Sequence, residues 1–136
     1  MAEAVMRKLV DDAGLASEIA LDSAGIGGWH EGEPPQPAAI AAGAAHGYDV
    51  RGAARRVKPS DFEEFDLIVA MDRGHQRALL QSSLDLESRS TVRLLLEGRD
   101  VPDPYGAPTA EFERVLALIE QGCRDLFAEL TAAPAL

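Results

Sequence analysis

The chain has 136 residues, 46% of them apolar, with a formal charge of −10 and a sequence pI near 4.6. That is enough apolar material for one domain with a buried core, too little chain for two ordinary domains, and the wrong balance for a disordered polypeptide. A surface this acidic excludes broad binding of nucleic acid or anionic lipid, which needs clustered Lys and Arg, but it permits a small anion held in a local nest of backbone N–H groups.

The longest apolar runs, Leu67 to Met71 and Leu94 to Leu96, fall far short of the roughly 20 residues of a membrane span. The opening residues acquire acids within a turn and lack a signal-peptide pattern, so a cytoplasmic setting is expected. Cys123 is the sole cysteine, which excludes an internal disulfide and a cysteine metal cluster. His30, His46 and His75 lie in three separate segments, and no metal site is expected.

In chain order, Met1 to Ala13 has helical spacing through Val5 and Leu9, with Gly14 as its stop. Glu18 to Ser23 alternates apolar and polar residues, which predicts a short strand. A glycine-rich loop follows, Ala24 to Gly28, then Trp29-His30. Pro34, Pro35 and Pro37 mark a helix start, and Ala38 to Ala45 continues that helix towards Gly47. Ser60 to Glu63 has capping-box spacing ahead of a short helix. Asp66 to Met71 is a continuous apolar run, the pattern of a strand buried on both faces. Arg73 to Ser83 reads as a helix and Thr91 to Leu96 as a strand, followed by a polar loop from Glu97 to Pro108 that contains Asp103-Pro104-Tyr105-Gly106. A last helix carries Phe112, Val115, Leu116, Ile119, Cys123, Leu126, Phe127 and Leu130 on one stripe. Alternation of helices and strands predicts a single α/β domain over residues 1–136, a sandwich around a parallel sheet. The opening is unusual for that class, because the chain starts on a helix with no strand before it.

Taken alone, few residues carry chemistry. Asp103 before a proline is an ordinary turn residue. Cys123 sits inside an apolar helical stripe, and the residue six positions on is Glu129 rather than an arginine, so it reads as a structural cysteine. Asp72 ends a strand, but the partner acids and lysine of a phospho-acceptor site are not placed around it.

Four segments together resemble the low-molecular-weight protein tyrosine phosphatase family. MAEAVMRKLV is similar to the start of its first helix, LDSAGIGGWHEGEPPQP to its second strand and the loop that walls the active site, FDLIVAMDR to its third strand, and DVPDPYGAPTAEFERVLALIE to its acid loop and final helix. DPYG by itself is a weak signal; WHEG, AMD and DPYG in this order and spacing are a strong one. The resemblance implies a three-layer α/β sandwich with a small parallel sheet. It also implies hydrolysis of protein tyrosine phosphate through a phosphocysteine, with no cofactor. In the family a thiolate in a C-x5-R loop attacks the phosphate, and an aspartic acid protonates the leaving phenolate and then activates water.

Carried over residue by residue, the resemblance makes Asp103 the general acid and base. Tyr105 and Trp29 become the aromatic walls of a substrate cleft, and Ser23 a support for the phosphate loop. Gly106 stands where many relatives have a second tyrosine, and Gly52 where some have a supporting histidine. The expected partners are phosphotyrosine proteins or small aryl phosphates, with no nucleic acid and no membrane.

No residue of the chain matches the nucleophile. In the family the C-x5-R loop is followed by a proline and then by a stretch like Met1 to Val5. The loop and the first strand are therefore expected upstream of Met1, and Met1 is expected to be an internal methionine. The 136 residues alone are then expected to be inactive, and to fold poorly, because loss of a central strand costs more than the ~5–15 kcal/mol that holds a domain together. The competing functions are a protein-arginine phosphatase of the same fold and a non-catalytic relative acting as a binding or scaffold module. A thiol-relay arsenate reductase is disfavoured by the single cysteine.

Overall fold

The computed structural model describes residues 1–26, 31–88 and 90–132. Its elements in chain order are α1 (Ala2–Asp12), α2 (Pro37–Ala45), α3 (Asp61–Glu64), β1 (Leu67–Ala70), α4 (Arg73–Asp85), β2 (Thr91–Leu94) and α5 (Thr109–Thr131). β1 and β2 pair in parallel, from Leu67 opposite Thr91 to Ala70 opposite Leu94. Parallel neighbours need a crossover, and α4 supplies it.

Strand periodicity sends alternate side chains to opposite faces. Leu67, Val69 and Met71 join a cluster with Val5, Val10, Leu116, Ile119 and Cys123 of α1 and α5. Ile68, Ala70, Val92 and Leu94 meet Phe62 of α3 and Leu79 of α4. The sheet is thus the middle of three layers, the α/β sandwich with a small parallel sheet that the sequence predicts.

The main core lies where α1 crosses α5 beneath Leu95 and Leu96. Gly122 makes that approach possible, since a Cβ there would lie 2.7 Å from Leu95 Cγ and 3.0 Å from Leu96 Cδ2. A smaller cluster of Ala4, Ala39, Ala42, Val50 and Phe112 joins α1 and α2 to the start of α5. It brings the N-terminal ends of α1 and α2 beside the loop that precedes α5.

Four local expectations differ from the structure. Glu18 to Ser23 forms no ladder: residues 16–18 turn, and Ile19 and Leu21 lean on the main core while the backbone stays extended. The nearest strand-like contact is a single parallel bridge, Gly25 with Arg56. An alternating pattern earns burial for one face, but a strand also needs a partner backbone. Ser60 makes no cap, because the chain already turns at Lys58, whose carbonyl accepts from Asp61 N–H, so Ser60 is itself helical. β2 stops at Leu94, and Leu95 and Leu96 turn into the core. Leu130 completes the stripe of α5 in sequence but is 48% exposed, lying past the last turn that α1 covers.

Candidate active site

The loop between β2 and α5 is fixed at its base. Val101 is buried, and its N–H donates to Met71 O at the end of β1 over 2.7 Å. Asp100 accepts from Arg73 N–H (2.9 Å) and Nε (3.1 Å), and these bonds hold its carboxyl below the usual carboxylate range. From this base the chain runs to Asp103, whose Oδ1 accepts from Tyr105 N–H at 3.0 Å. Ala107 N–H donates to Pro104 O at 2.8 Å, and Gly106 has φ of +76°. That is a turn with its third residue left-handed, a conformation suited to glycine. Gly106 N–H in turn donates to Gln36 Oε1 at 3.2 Å.

Facing this loop is the extended segment that ends in Asp22-Ser23. Ser23 Oγ donates to Glu3 Oε1 in the first turn of α1, and Glu3 also pairs with Arg7 one turn on. Asp22 accepts from Arg55 Nε at 3.1 Å. The same guanidinium grips the buried Asp61 with two bonds, 2.9 and 3.0 Å. That fork pushes the Asp61 carboxyl down, assisted by Lys58 N–H. One arginine therefore ties the Asp22-Ser23 segment to α3, with the planar geometry a carboxylate matches best.

The loop carrying Trp29 is pinned at both ends to residues 54–57. Gly25 N–H donates to Arg55 O and Val57 N–H to Gly25 O, while Gly32 N–H donates to Ala54 O and Ala54 N–H to Glu33 O. Trp29 itself, with Gly27, Gly28 and His30, lies outside the described residues.

These elements enclose an open cleft of about 500 Å³, lined by Met1, Glu3, Ser23, Gln36, Asp103 and Tyr105 among others. Asp103, Tyr105 and Ser23, far apart in sequence, thus share one cavity, with the first turn of α1 in its wall. Gly52 lines it too. The acids of the wall include two that are spoken for, Asp22 by Arg55 and Glu3 by Arg7. The cleft can exchange a proton through Asp103 and offer a ring face through Tyr105, which is 56% exposed.

Cys123 is not part of it. Its thiol is 1% exposed beneath α1, with Sγ 3.8 Å from Ala2 O, and burial pushes its pKa up to about 11. A nucleophilic cysteine needs the opposite shift. Asp72 caps α4 instead of accepting phosphate, its Oδ1 taking His75 N–H at 2.7 Å. Glu3, Gln36 and Arg55 were not singled out by the sequence. Glu3 carries a weak signal as an acid in a first helical turn; Gln36 and Arg55 reach partners 70 and 33 residues away, Gly106 and Asp22, and Arg55 also binds the nearby Asp61.

The family model described as "Low molecular weight phosphotyrosine protein phosphatase" matches residues 1–135. A Streptomyces coelicolor low molecular weight protein-tyrosine-phosphatase is 43% identical, over 94% of this chain and 83% of that protein. The crystal structure of YfkJ from Bacillus subtilis superposes with a TM-score of 0.83 at 38% identity, over 95% of this chain and 84% of that one. The structure of a drosophila arginine phosphatase gives 0.91 at 26% identity, over 98% and 90%. With a family model spanning almost all of its length and a cleft built from the same segments, the chain belongs to the low molecular weight phosphotyrosine protein phosphatase family.

Proposed function

We propose that this chain supplies the acid–base half and the substrate cleft of a protein-tyrosine phosphatase, and that a C-x5-R loop directly preceding Met1 supplies the nucleophile. The observation that carries the reading is the convergence of Asp103, Tyr105 and Ser23 on one cleft whose wall includes the first turn of α1. A helix N-terminus presents unpaired N–H groups and positive dipole to an anion, and a loop entering it can add more.

The steps follow from that placement. The loop thiolate attacks phosphorus as the P–O bond to the aryl group breaks, and Asp103 gives its proton to the departing oxygen. Asp103, now a carboxylate, takes a proton from water as that water attacks phosphorus. The P–S bond breaks, releasing inorganic phosphate and restoring the thiolate. Oδ1 is occupied by Tyr105 N–H, so Oδ2 carries the transferred proton. The ring of Tyr105 stacks on the substrate ring, and Ser23 steadies the phosphate loop.

The WHEG and DPYG segments favour an aryl phosphate over phosphoarginine as substrate.

Translation of the reading frame upstream of Met1, followed by assay of its full product, tests the proposal. The expected results are a C-x5-R-Ser-Pro sequence and hydrolysis of phosphotyrosine peptide in preference to phosphoarginine peptide. The 136 residues alone are expected to release no phosphate. Stop codons with no such sequence, or turnover by the 136 residues alone, would contradict it. Preference for phosphoarginine would move the assignment to the arginine phosphatases.

A further inference from the structure

Gln36 occupies the N-cap of α2, where Ser, Thr, Asp or Asn would bond the helix's own free amides. It makes no such cap. Its backbone carbonyl accepts from Ala39 and Ile40 N–H, while its side chain reaches away from α2, 70 residues along the chain, to accept from Gly106 N–H at 3.2 Å. A residue that forgoes a local role for a tertiary bond marks a place where something other than helix stability is served.

The bond falls where it bears on Asp103. The acid loop is anchored at Val101 and Asp100 on one side, and at Ala107, packed against the α2–α5 cluster, on the other. Between these anchors lies the turn Pro104 to Ala107, which also fixes Tyr105 N–H, the donor to Asp103 Oδ1. Gly106 is its left-handed residue and has no side chain to pack. The Gln36 amide gives the turn a hold from across the cleft. It also links the acid loop to the wall of the same cleft formed by Pro34 and Pro35.

We propose that Gln36 is a positioning residue for the proton transfer: by holding Gly106 it keeps the turn that aims the Asp103 carboxyl into the cleft. The inference rests on the reading of Asp103 as proton donor. It concerns a contact that neither the family assignment nor the sequence motifs supply.

The experiment uses the full reading-frame product and three variants, Gln36→Met, Gln36→Glu and Asp103→Asn. The methionine keeps length and loses the acceptor; the glutamate keeps the acceptor. The kinetic readout is the ratio of kcat/KM for p-nitrophenyl phosphate to that for phenyl phosphate. Nitrophenolate departs without a proton, whereas phenolate, with a pKa of about 10, needs one. Asp103→Asn is expected to raise the ratio, and Gln36→Met to raise it in the same sense by on the order of tenfold, a fraction of the 10²–10⁴ that a general acid contributes. Gln36→Glu is expected to restore most of the difference, and Gln36→Met to add nothing when Asp103 is already Asn. Hydrogen exchange at Gly106 N–H is expected to quicken in Gln36→Met, with the amides of α5 unchanged.

A merely structural role would lower both substrates equally and leave the ratio alone. That result, or unchanged exchange at Gly106, overturns the proposal. If Asp103→Asn fails to raise the ratio, the acid assignment falls first and the positioning role goes with it. If Asp103→Asn raises it and Gln36→Met does not, the acid assignment stands and the positioning role alone is lost.

Discussion

His46 and Glu113 lie at the surface end of the contact between α2 and α5, with His46 Nε2 2.5 Å from Glu113 Oε2. The hydrogen bond and charge of Glu113, with Glu120 farther off, raise the imidazole's pKa above its ordinary 6.5. A group whose pKa is higher folded than unfolded stabilises the fold most fully below the unfolded value. The contribution is lost as pH rises through the folded value. Stability against urea is therefore expected to decline as pH rises above about 6.5 by this route, and His46→Gln is expected to remove that part of the decline. An unchanged pH dependence in the variant would show the pair to be without thermodynamic effect. Nothing in the sequence joins residues 46 and 113. The same holds for Arg55 with Asp22 and Asp61, because a charge reveals its partner only once the chain has brought the two together. Asp103 stood out in the sequence for a different reason: DPYG is a local motif and follows WHEG and AMD in order.

Among the elements, α5 was the most legible and β1 nearly so. Both carry apolar spacing that a single geometry satisfies, 3.6 residues per turn in one case and a short run buried on both faces in the other. The stripe of α5 did not reveal Gly122, which sits within it and looks like a helix-weakening residue. The structure gives its reason in the close approach of Leu95 and Leu96, with Leu95 O 3.2 Å from where a Cβ would sit. A side chain here must displace both leucines or the backbone behind them. Gly122→Val is expected to destabilise the domain by ~1–3 kcal/mol, the range for overpacking a filled core, read as a fall in the urea midpoint at constant slope. An unchanged or higher midpoint would mean that the gain in helix propensity outweighs the clash. The segment Glu18 to Ser23 alternates without forming a strand, because alternation reports which side is buried and not whether a neighbouring backbone is there to pair with.

At the scale of the whole molecule, the three layers bring distant segments to one cleft. α1 and α2 meet α5 through small and apolar residues, and this packing sets the acid loop opposite Ser23 and the first turn of α1. The sandwich class was readable from the alternation of elements, and the family from four motifs in order. The cross-cleft bonds of Gln36 and Glu3 were not, since both depend on the final arrangement of helices. The proposed division of labour gives Asp103 the protons and an upstream loop the nucleophile, while Cys123 is buried in the core. Steady-state hydrolysis of phosphotyrosine peptide by the full reading-frame product, compared between wild type, Asp103→Ala and Cys123→Ala well below the unfolding temperature, tests that division most directly. The account predicts a fall in kcat of roughly 10²–10⁴ for Asp103→Ala and near wild-type turnover for Cys123→Ala. Full activity without Asp103, or loss of activity on removing Cys123 from a folded protein, would contradict it.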